Sequence, residues 1–523
     1  MKVVTAVVVA AVFSVSLVGC GAKAGTPSDT RIPKQSDLLT YVPADTPYVV
    51  HLVPEQLAMM GPGLTREFVE GVAGRVLGRE ELPTAEPGAR LRSELARELM
   101  PLDAKALARV GWDPERSEAV LYGHGLVPVL RASLDGAKAR AALERAAARA
   151  KITIDAREQD GVPYVILPPY GEQKLSVVIA FHATQVTAAI TLEPEQIIIQ
   201  LVSLEPAATS LATSYGKKPR DPGAPTSAWL FAAVEPARIA ERLRAGDLAL
   251  LTRKPDFTPA CTASLADFVA ELPPITNEVW REGDVVSMSY TLAMTPVVAN
   301  VVADNPGIRW VADPEPDVQL ATSLRAGKVL GFFEAMWSKQ QQVRAACGDE
   351  VETDFGLPAA LAPLDHVTGL VIAGDVKGDA IHLGARLDVD EVAPLWTWIG
   401  EQFGTGSLPE MPENEINSLG KVNGLELALG HRPTTILGSH GAHDRVIQLS
   451  KGEGMVTLPR TLLRCHVGRD VMRKIRSGEI SFFGIKPRPV HGDVYDSGMD
   501  IDVSLYGELL VARTTGTAVL ATK

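Results

Sequence analysis

The sequence predicts an α+β protein: two tandem, related units of antiparallel sheet, with helices packed on one face of each. Three observations carry that expectation. Several segments alternate apolar and polar residues with period two. A strand–proline–helix order occurs twice. A longer plan, hairpin and then capped helix, also recurs, with Leu134-Asp135 and Leu387-Asp388 standing 253 positions apart.

In order, the body opens with "YVPADTPYVV". Residues 48–53 are β-rich, and Pro54 ends that strand and opens a helix, as a proline at the first helical position does. The same order returns at 229–234, with Pro236 next and Ile239-Ala240 in the place of Leu57-Ala58. "EAVLYGHGLVPVLRASLDGAKARAALERAAARA" reads as strand, Gly-His-Gly turn, strand, and an Ala-rich helix capped by Asp135. "VTGLVIAGDVKGDAIHLGARLDVDEVAPLWTWIGEQF" repeats this, with a turn at 376–379 and Asp388 or Asp390 as cap. Its helix carries Val392, Leu395, Trp396, Ile399 and Phe403 at helical spacing, one apolar stripe to lay on a sheet. "VVSMSYTLA" sets Val286, Met288, Tyr290 and Leu292 inward against Ser287, Ser289 and Thr291. "DIDVSLYGELLVAR" alternates Ile501, Val503 and Leu505 with Asp500, Asp502 and Ser504. Such alternation belongs to antiparallel sheets with one solvated face. The acidic "DPEPD" at 313–317, with two prolines, marks a boundary. The units are then 37–312 and 318–523.

The first residues set the compartment. Met1-Lys2 is a short positive leader, and residues 3–18 form an apolar run broken only by Thr5, Ser14 and Ser16. A span needs about 20 predominantly apolar residues. This run is shorter and ends in Gly19, Cys20 and Gly21, the profile of a cleaved signal peptide over 1–19. Leu17-Val18-Gly19-Cys20 resembles the lipobox of bacterial lipoproteins. The resemblance implies cleavage before Cys20, a diacylglyceryl group on its sulfur, and a palmitate-bearing anchor in the bilayer. Gly21 rather than Asp after that cysteine points, by the enterobacterial sorting rule, to the outer membrane and a body facing the periplasm. Residues 20–36, ending in "GAKAGTPSDTRIPKQS", have almost nothing to bury and form a flexible tether reaching about 20–24 Å. The body also resembles a broad group of bacterial envelope proteins whose mature part opens with a Pro-Ala-Asp-Thr-Pro strand, here residues 43–47. That group has no assigned activity to carry over.

Composition narrows the partners. The chain has 523 residues, 46% hydrophobic and 22% charged, which is too long for one core. Without residues 1–19 it carries 50 basic against 63 acidic residues, a formal charge of −13. Nucleic acid, which needs clustered Lys and Arg, is excluded as a partner. The one basic run, Lys217-Lys218-Pro219-Arg220, precedes "DPGAP" and reads as an exposed loop. Beyond Cys20 three cysteines remain, so one stays unpaired or bonds elsewhere. Cys261 opens one helix and Cys347 closes another, which makes them the disulfide pair. Cys465, near Met472, is the buried, inert thiol.

Catalytic motifs are scarce. No G-x-S-x-G, H-E-x-x-H, Walker, C-x-x-C or G-x-G-x-x-G pattern occurs. Two S-x-x-K matches, at Ser214/Lys217 and Ser418/Lys421, each have a glycine between serine and lysine and no K-T-G strand elsewhere. Five of the ten histidines (His431, His440, His443, His466, His491) fall between 431 and 491. His440, His443 and Asp444 form the weak metal candidate, because zinc accepts imidazole and carboxylate ligands together. Asp493, Asp496, Asp500 and Asp502 lack the spacing of a calcium loop, and the last two read as a solvated, charge-blunted edge strand. Trp398, two residues from Trp396, lies at the margin of the helix stripe and is the partner-contact candidate.

These readings predict a membrane-anchored envelope lipoprotein without a cofactor, acting as a non-enzymatic scaffold or binding protein on another envelope protein or polymer. The alternative is an exported metal-assisted hydrolase using His440, His443 and Asp444. A small-ligand carrier would need a deep apolar pocket.

Overall fold

The computed structural model describes residues 37–52, 87–99, 104–169, 174–250, 257–351, 359–402, 416–479 and 498–517, apart from short breaks inside these stretches. Cys20, the tether, and the helix expected at Pro54 lie outside the described residues. Nineteen strands belong to one hydrogen-bonded antiparallel sheet, and two more form a small second sheet. The expectation of tandem units with helices on one face is therefore corrected: the chain is mostly sheet. By contacts it divides into two compact units, Met1–Gly283 with Val343–Asp349, and Asp284–Gln342 with Glu350–Lys523.

The first unit runs β1 (Tyr48–Leu52), α1 (Pro87–Leu99), α2 (Ala104–Arg109), β2 (Ala119–His124), β3 (Val127–Ala132), α3 (Gly136–Ala150), β4 (Asp155–Gln159), β5 (Val162–Ile166), β6 (Ser176–Phe181), β7 (Val186–Thr191), α4 (Pro194–Val202), α5 (Leu211–Ser214), β8 (Leu230–Val234), α6 (Pro236–Arg244), α7 (Pro259–Ala270) and β9 (Ile275–Glu282). The strands pair in the order β4-β5-β6-β7-β3-β2-β1-β8-β9.

Local chemistry explains the helix starts. Asp135 accepts a hydrogen bond from the Lys138 amide and caps α3, as its position predicts. Proline stands at the start of α4, α6 and α7, where its missing N–H costs nothing.

Helices cover both faces of this sheet. On one side Ile197, Leu201, Ile239, Leu243 and Ala266, from α4, α6 and α7, pack with Val120, Val129, Val178 and Ala180. On the other, Leu91 of α1 and Leu143 and Ala147 of α3 pack with Val165, Phe181 and Val186. The physical reason lies in the strands: "SVVIAF" of β6 and "LFAAV" of β8 are continuous apolar runs. Successive side chains point to opposite faces, so such runs need two covers. Each fully buried large side chain, such as Phe231 at 1% exposure, contributes about 1.5–3 kcal/mol.

The second unit runs β10 (Val285–Ala293), α8 (Pro296–Val302), β11 (Ile308–Val311), β12 (Val318–Thr322), α9 (Ala326–Ala346), β13 (Val367–Lys377), β14 (Ala380–Val389), α10 (Val392–Gln402), β15 (Ile416–Val422), β16 (Leu425–Arg432), β17 (Thr435–His440), α11 (His443–Lys451), β18 (Met455–Leu458), β19 (Thr461–Val467), α12 (Arg469–Ser477), β20 (Met499–Tyr506) and β21 (Leu509–Thr517). The order is β10-β21-β20-β19-β12-β13-β14-β17-β16-β15, with β11 and β18 paired apart. Ala321, Val371 and Ala373 pack with Leu449 of α11 and with Ile308, Trp310 and Val311 of β11. On the opposite face Val471 of α12 meets Val318, Val467 and Leu383, and Leu395 of α10 meets Ile436 and Leu387.

Two strand readings are overturned here. In β10, Ser287, Ser289 and Thr291, expected outward, are buried, while of the residues expected inward Met288 is buried and Val286, Tyr290 and Leu292 are only half-buried. In β20 it is Ser504 that is buried, and the strand lies between β19 and β21, so it is no edge. Period-two alternation tells which residues share a face but not which face is covered. The "DPEPD" segment is also not a free linker. Arg445 donates through Nη1 to the Pro314 carbonyl and through Nη2 to both carboxylate oxygens of Asp375 at 2.8 Å, Gln448 donates to the Asp313 carbonyl, and Asp317 accepts from the Val376 amide.

The hairpin-then-helix plan occurs twice in each unit: β2-β3-α3 and β6-β7-α4, then β13-β14-α10 and β16-β17-α11. Cys261 and Cys347 form a disulfide, the pair read from their helix-end positions.

Candidate functional site

The sequence-predicted metal group does not converge. His440 is buried at the end of β17, while His443 and Asp444 are exposed on the first turn of α11. Among the described residues no three His, Cys, Asp or Glu side chains are placed to hold a metal ion. His431 packs its ring edge-on against Trp396, with centroids 4.9 Å apart. His466 shares a 2.8 Å hydrogen bond with Asp500 across β19 and β20. That bond, helped by Glu315 and opposed by burial and Arg464, raises the His466 pKa. His491, Asp493 and Asp496 lie outside the described residues.

Other sequence candidates resolve into structural roles. Ser214 ends the four-residue α5, and Ser418 lies on β15 beside an irregularity in its pairing, so neither opens a helix with a lysine one turn on. Asp502 accepts from Ser504, which also bonds Thr461. Of the basic run, Lys217 lies outside the described residues, and Lys218 to Arg220 are half-buried rather than an exposed loop. Lys218 bonds Glu235 at 2.6 Å, and Arg220 bonds the fully buried Glu278, which also accepts from the Asp221 amide. Burial pushes the Glu278 carboxyl up in spite of Arg220. Cys465 is half-buried, and burial followed by the Asp500 charge raises its thiol, which makes it a poor nucleophile. Trp398 packs at the margin of the α10 core, and its indole N–H is buried without a hydrogen-bond partner.

The structure brings together one polar group that the sequence reading missed. Arg131 of β3 is 2% exposed and pairs with no carboxylate among the described residues. Its guanidinium donates to Gln185 at 3.1 Å and to the Ser203 carbonyl at 3.3 Å, and it lies 4.7 Å from the Tyr41 ring centroid. His182, at the start of the β6–β7 turn, bonds the Leu201 carbonyl through Nε2 at 3.0 Å. A carbonyl only accepts, so this histidine carries its proton on Nε2. Burial and then Arg131 lower its pKa. Leu201 and Ser203 stand at the C-terminus of α4, where the helix dipole leaves partial negative charge. A buried cation is costly unless something opposite offsets it. Here the helix end does so, and the cluster fastens α4 to β3 and β7. Three buried atoms remain without partners: Arg131 Nε, His182 Nδ1 and Thr187 Oγ1. The available signal was Arg131 in phase with Val127 and Val129, a charge on the inward face of β3.

One cavity of about 520 Å³ is lined by Asp317, Gly468, Arg469, Asp470, Val471 and Arg473. Its charges are engaged: Asp317 takes the Val376 amide, and Arg473 lies 3.3 Å from Asp470. No nucleophile, general base and oxyanion donor meet there, so the cavity holds no assembled acyl- or phosphoryl-transfer set.

No helix among the described residues is long and apolar enough to cross a membrane. No family model matches this chain, and no curated protein does. Among solved structures it is similar to three crystal forms of a protein titled TP0453: form I at 8% identity, form IV at 10% and form III at 9%. These alignments cover 50%, 51% and 52% of this chain and 80%, 84% and 88% of the other. All three have TM-scores of 0.24, too loose a superposition to inform either fold or function.

Proposed function

We propose that this chain is a lipid-anchored envelope protein that works by binding another protein or polymer rather than by catalysis. The observation that carries the reading is Leu17-Val18-Gly19-Cys20 at the end of a short apolar leader. The outer membrane, with the body facing the periplasm, is the location that Gly21 favours. The absence of a basic excess supports a lipid anchor over electrostatic attachment, since one acyl chain without a basic patch binds only marginally and two suffice. The binding reading draws support from how ionisable groups are used: Arg131, Glu278, His466 and Arg445 are each committed to holding neighbouring elements together. Palmitate labelling and membrane fractionation of the native chain beside Cys20→Ser provide the test. Label and membrane association are expected only with the cysteine. Equal label and sedimentation in both would overturn the anchor, and in-cell crosslinking that captures no neighbour would remove the binding role.

A further inference from the structure

Helices α4 and α11 are each held at the C-terminus, where the last carbonyls have no partner within the helix. In the second unit both fasteners are arginines. Arg386 of β14 donates to the Leu449 carbonyl at 3.0 Å, and Arg432 at the end of β16 donates to the Ser450 carbonyl at 2.7 Å. In the first unit Arg131 of β3 takes the Ser203 carbonyl, and the second fastener is His182, which directly follows β6 and holds the Leu201 carbonyl at 3.0 Å. Arginine keeps its charge throughout the range in which proteins are folded, whereas histidine titrates near neutrality. Of the two clasps, only the one on α4 has a member that protons can change.

The surroundings of His182 decide which way protonation acts. The residue is 6% exposed, and Nδ1, which would take the second proton, is buried without a hydrogen-bond partner among the described residues. β6 and β7 contain no charged residue. The one charge on α4 is Glu195 in its first turn, paired with Arg157 at 2.9 Å, and Glu205 beyond the helix is exposed. At the start of α3, where Gly136 abuts the His182 carbonyl, Asp135 and Lys138 pair with each other at 3.6 Å. Tyr41 and Tyr122 contact the Arg131 guanidinium. The charge that acts on the ring is therefore Arg131, of the same sign as an imidazolium. Burial and Arg131 outweigh the Leu201 bond, which favours the charged form. The helix has little of its own to resist with: it is nine residues long, and Glu193 at its N-cap makes no capping bond.

We propose that the C-terminal end of α4 is an acid-released clasp. A proton taken from solvent onto His182 Nδ1 sets a second buried cation beside Arg131, and the last turn of α4 with Ser203 parts from β3 and the β6–β7 turn. The all-arginine clasp on α11 stays closed. The open form binds the proton as an ordinary histidine does, and the closed form binds it only at lower pH. The clasp is thus complete above about pH 6.5 and weakens below it, with opening favoured by up to about tenfold for each pH unit.

Amide hydrogen exchange of the full chain, expressed as protection factors so that the chemical effect of pH drops out, provides the test. Between about pH 7.5 and about pH 5, protection over residues 198–203 should fall about tenfold, and protection over 446–452 by less than about twofold. His182→Gln keeps a donor for the Leu201 carbonyl and does not titrate, so it should flatten the response at 198–203. If that variant melts early, the imidazole titration of His182 by NMR decides in the native chain, because protection must be lost as that ring takes up its proton. Equal loss at both helix ends would show general unfolding and overturn the proposal. So would no loss at 198–203, a loss that persists in His182→Gln, or one that does not follow the His182 titration.

Discussion

Removing the Cys261–Cys347 bond is the perturbation with the clearest magnitude. The two residues are separated by 86 positions, and Cys261 is fully buried on α7. In the chain-entropy model, a loop of that length restricts the unfolded chain by about 15 cal/mol/K, or about 4–5 kcal/mol at 25 °C. Domains have about 5–15 kcal/mol of stability, so the loss is a large fraction of the total. With a guanidinium slope of about 3 kcal/mol/M, the unfolding midpoint of Cys261→Ala/Cys347→Ala should fall by about 1.5 M. The assay is guanidinium denaturation followed by tryptophan fluorescence, beside Cys465→Ser as a control that leaves the bond intact. Thiol counting on the unfolded chain, with and without reductant, reports whether the bond is present. A midpoint within about 0.3 M of the parent, with the parent oxidised, would refute the account of α7 and Cys347 as a stabilising clasp.

Three further outcomes are expected. Because burial and Arg131 depress the His182 pKa, the unfolded chain binds a proton that the folded one refuses. Stability should be complete above about pH 6.5 and fall below it, by at most about 1.4 kcal/mol per pH unit, with His182→Gln flattening the slope in pH-dependent melts. The Asp500 hydrogen bond raises the His466 pKa, so its contribution is present below about pH 6.5 and lost as pH rises through the folded value; Asp500→Asn should move the imidazole resonance of His466 to titrate at lower pH in NMR. Thr291 is fully buried with its hydroxyl unpartnered, so Thr291→Val, close to it in shape, should leave the melting point unchanged or raise it by the equivalent of about 1 kcal/mol; a drop of that size would show the hydroxyl to be bonded.

Local features were legible in the sequence. Asp135 caps its helix, Pro236 opens another, and the two hairpin-helix segments fold as such, because each depends on residues a few positions apart. The cysteine pairing followed from helix-end positions alone. The sheet was less legible. The apolar runs of β6 and β8 need cover on both faces, whereas the alternating strands suggest one covered face, which is why alternation leads to the wrong layer count. In β10 the serine and threonine face is covered as well, because burial is set by what packs over each face of the sheet, which the polarity of the strand alone does not tell. The Arg131 cluster joins residues 131, 182, 185 and 201–203, which only the pairing of β3 with β7 brings side by side. The metal candidate failed for the opposite reason. His440 and His443 are close in sequence, but the strand ends and the helix starts between them, burying one ring and exposing the other.

The register of β10 against β21 imposes an order on folding. Val285–Ala293 pairs with Leu509–Thr517, more than 200 positions further along the chain. Hairpins such as β13–β14 close at once, but β10 must wait with one flank bare until that distant stretch has been made. Loss of Leu509–Thr517 to a protease would leave that flank open for good.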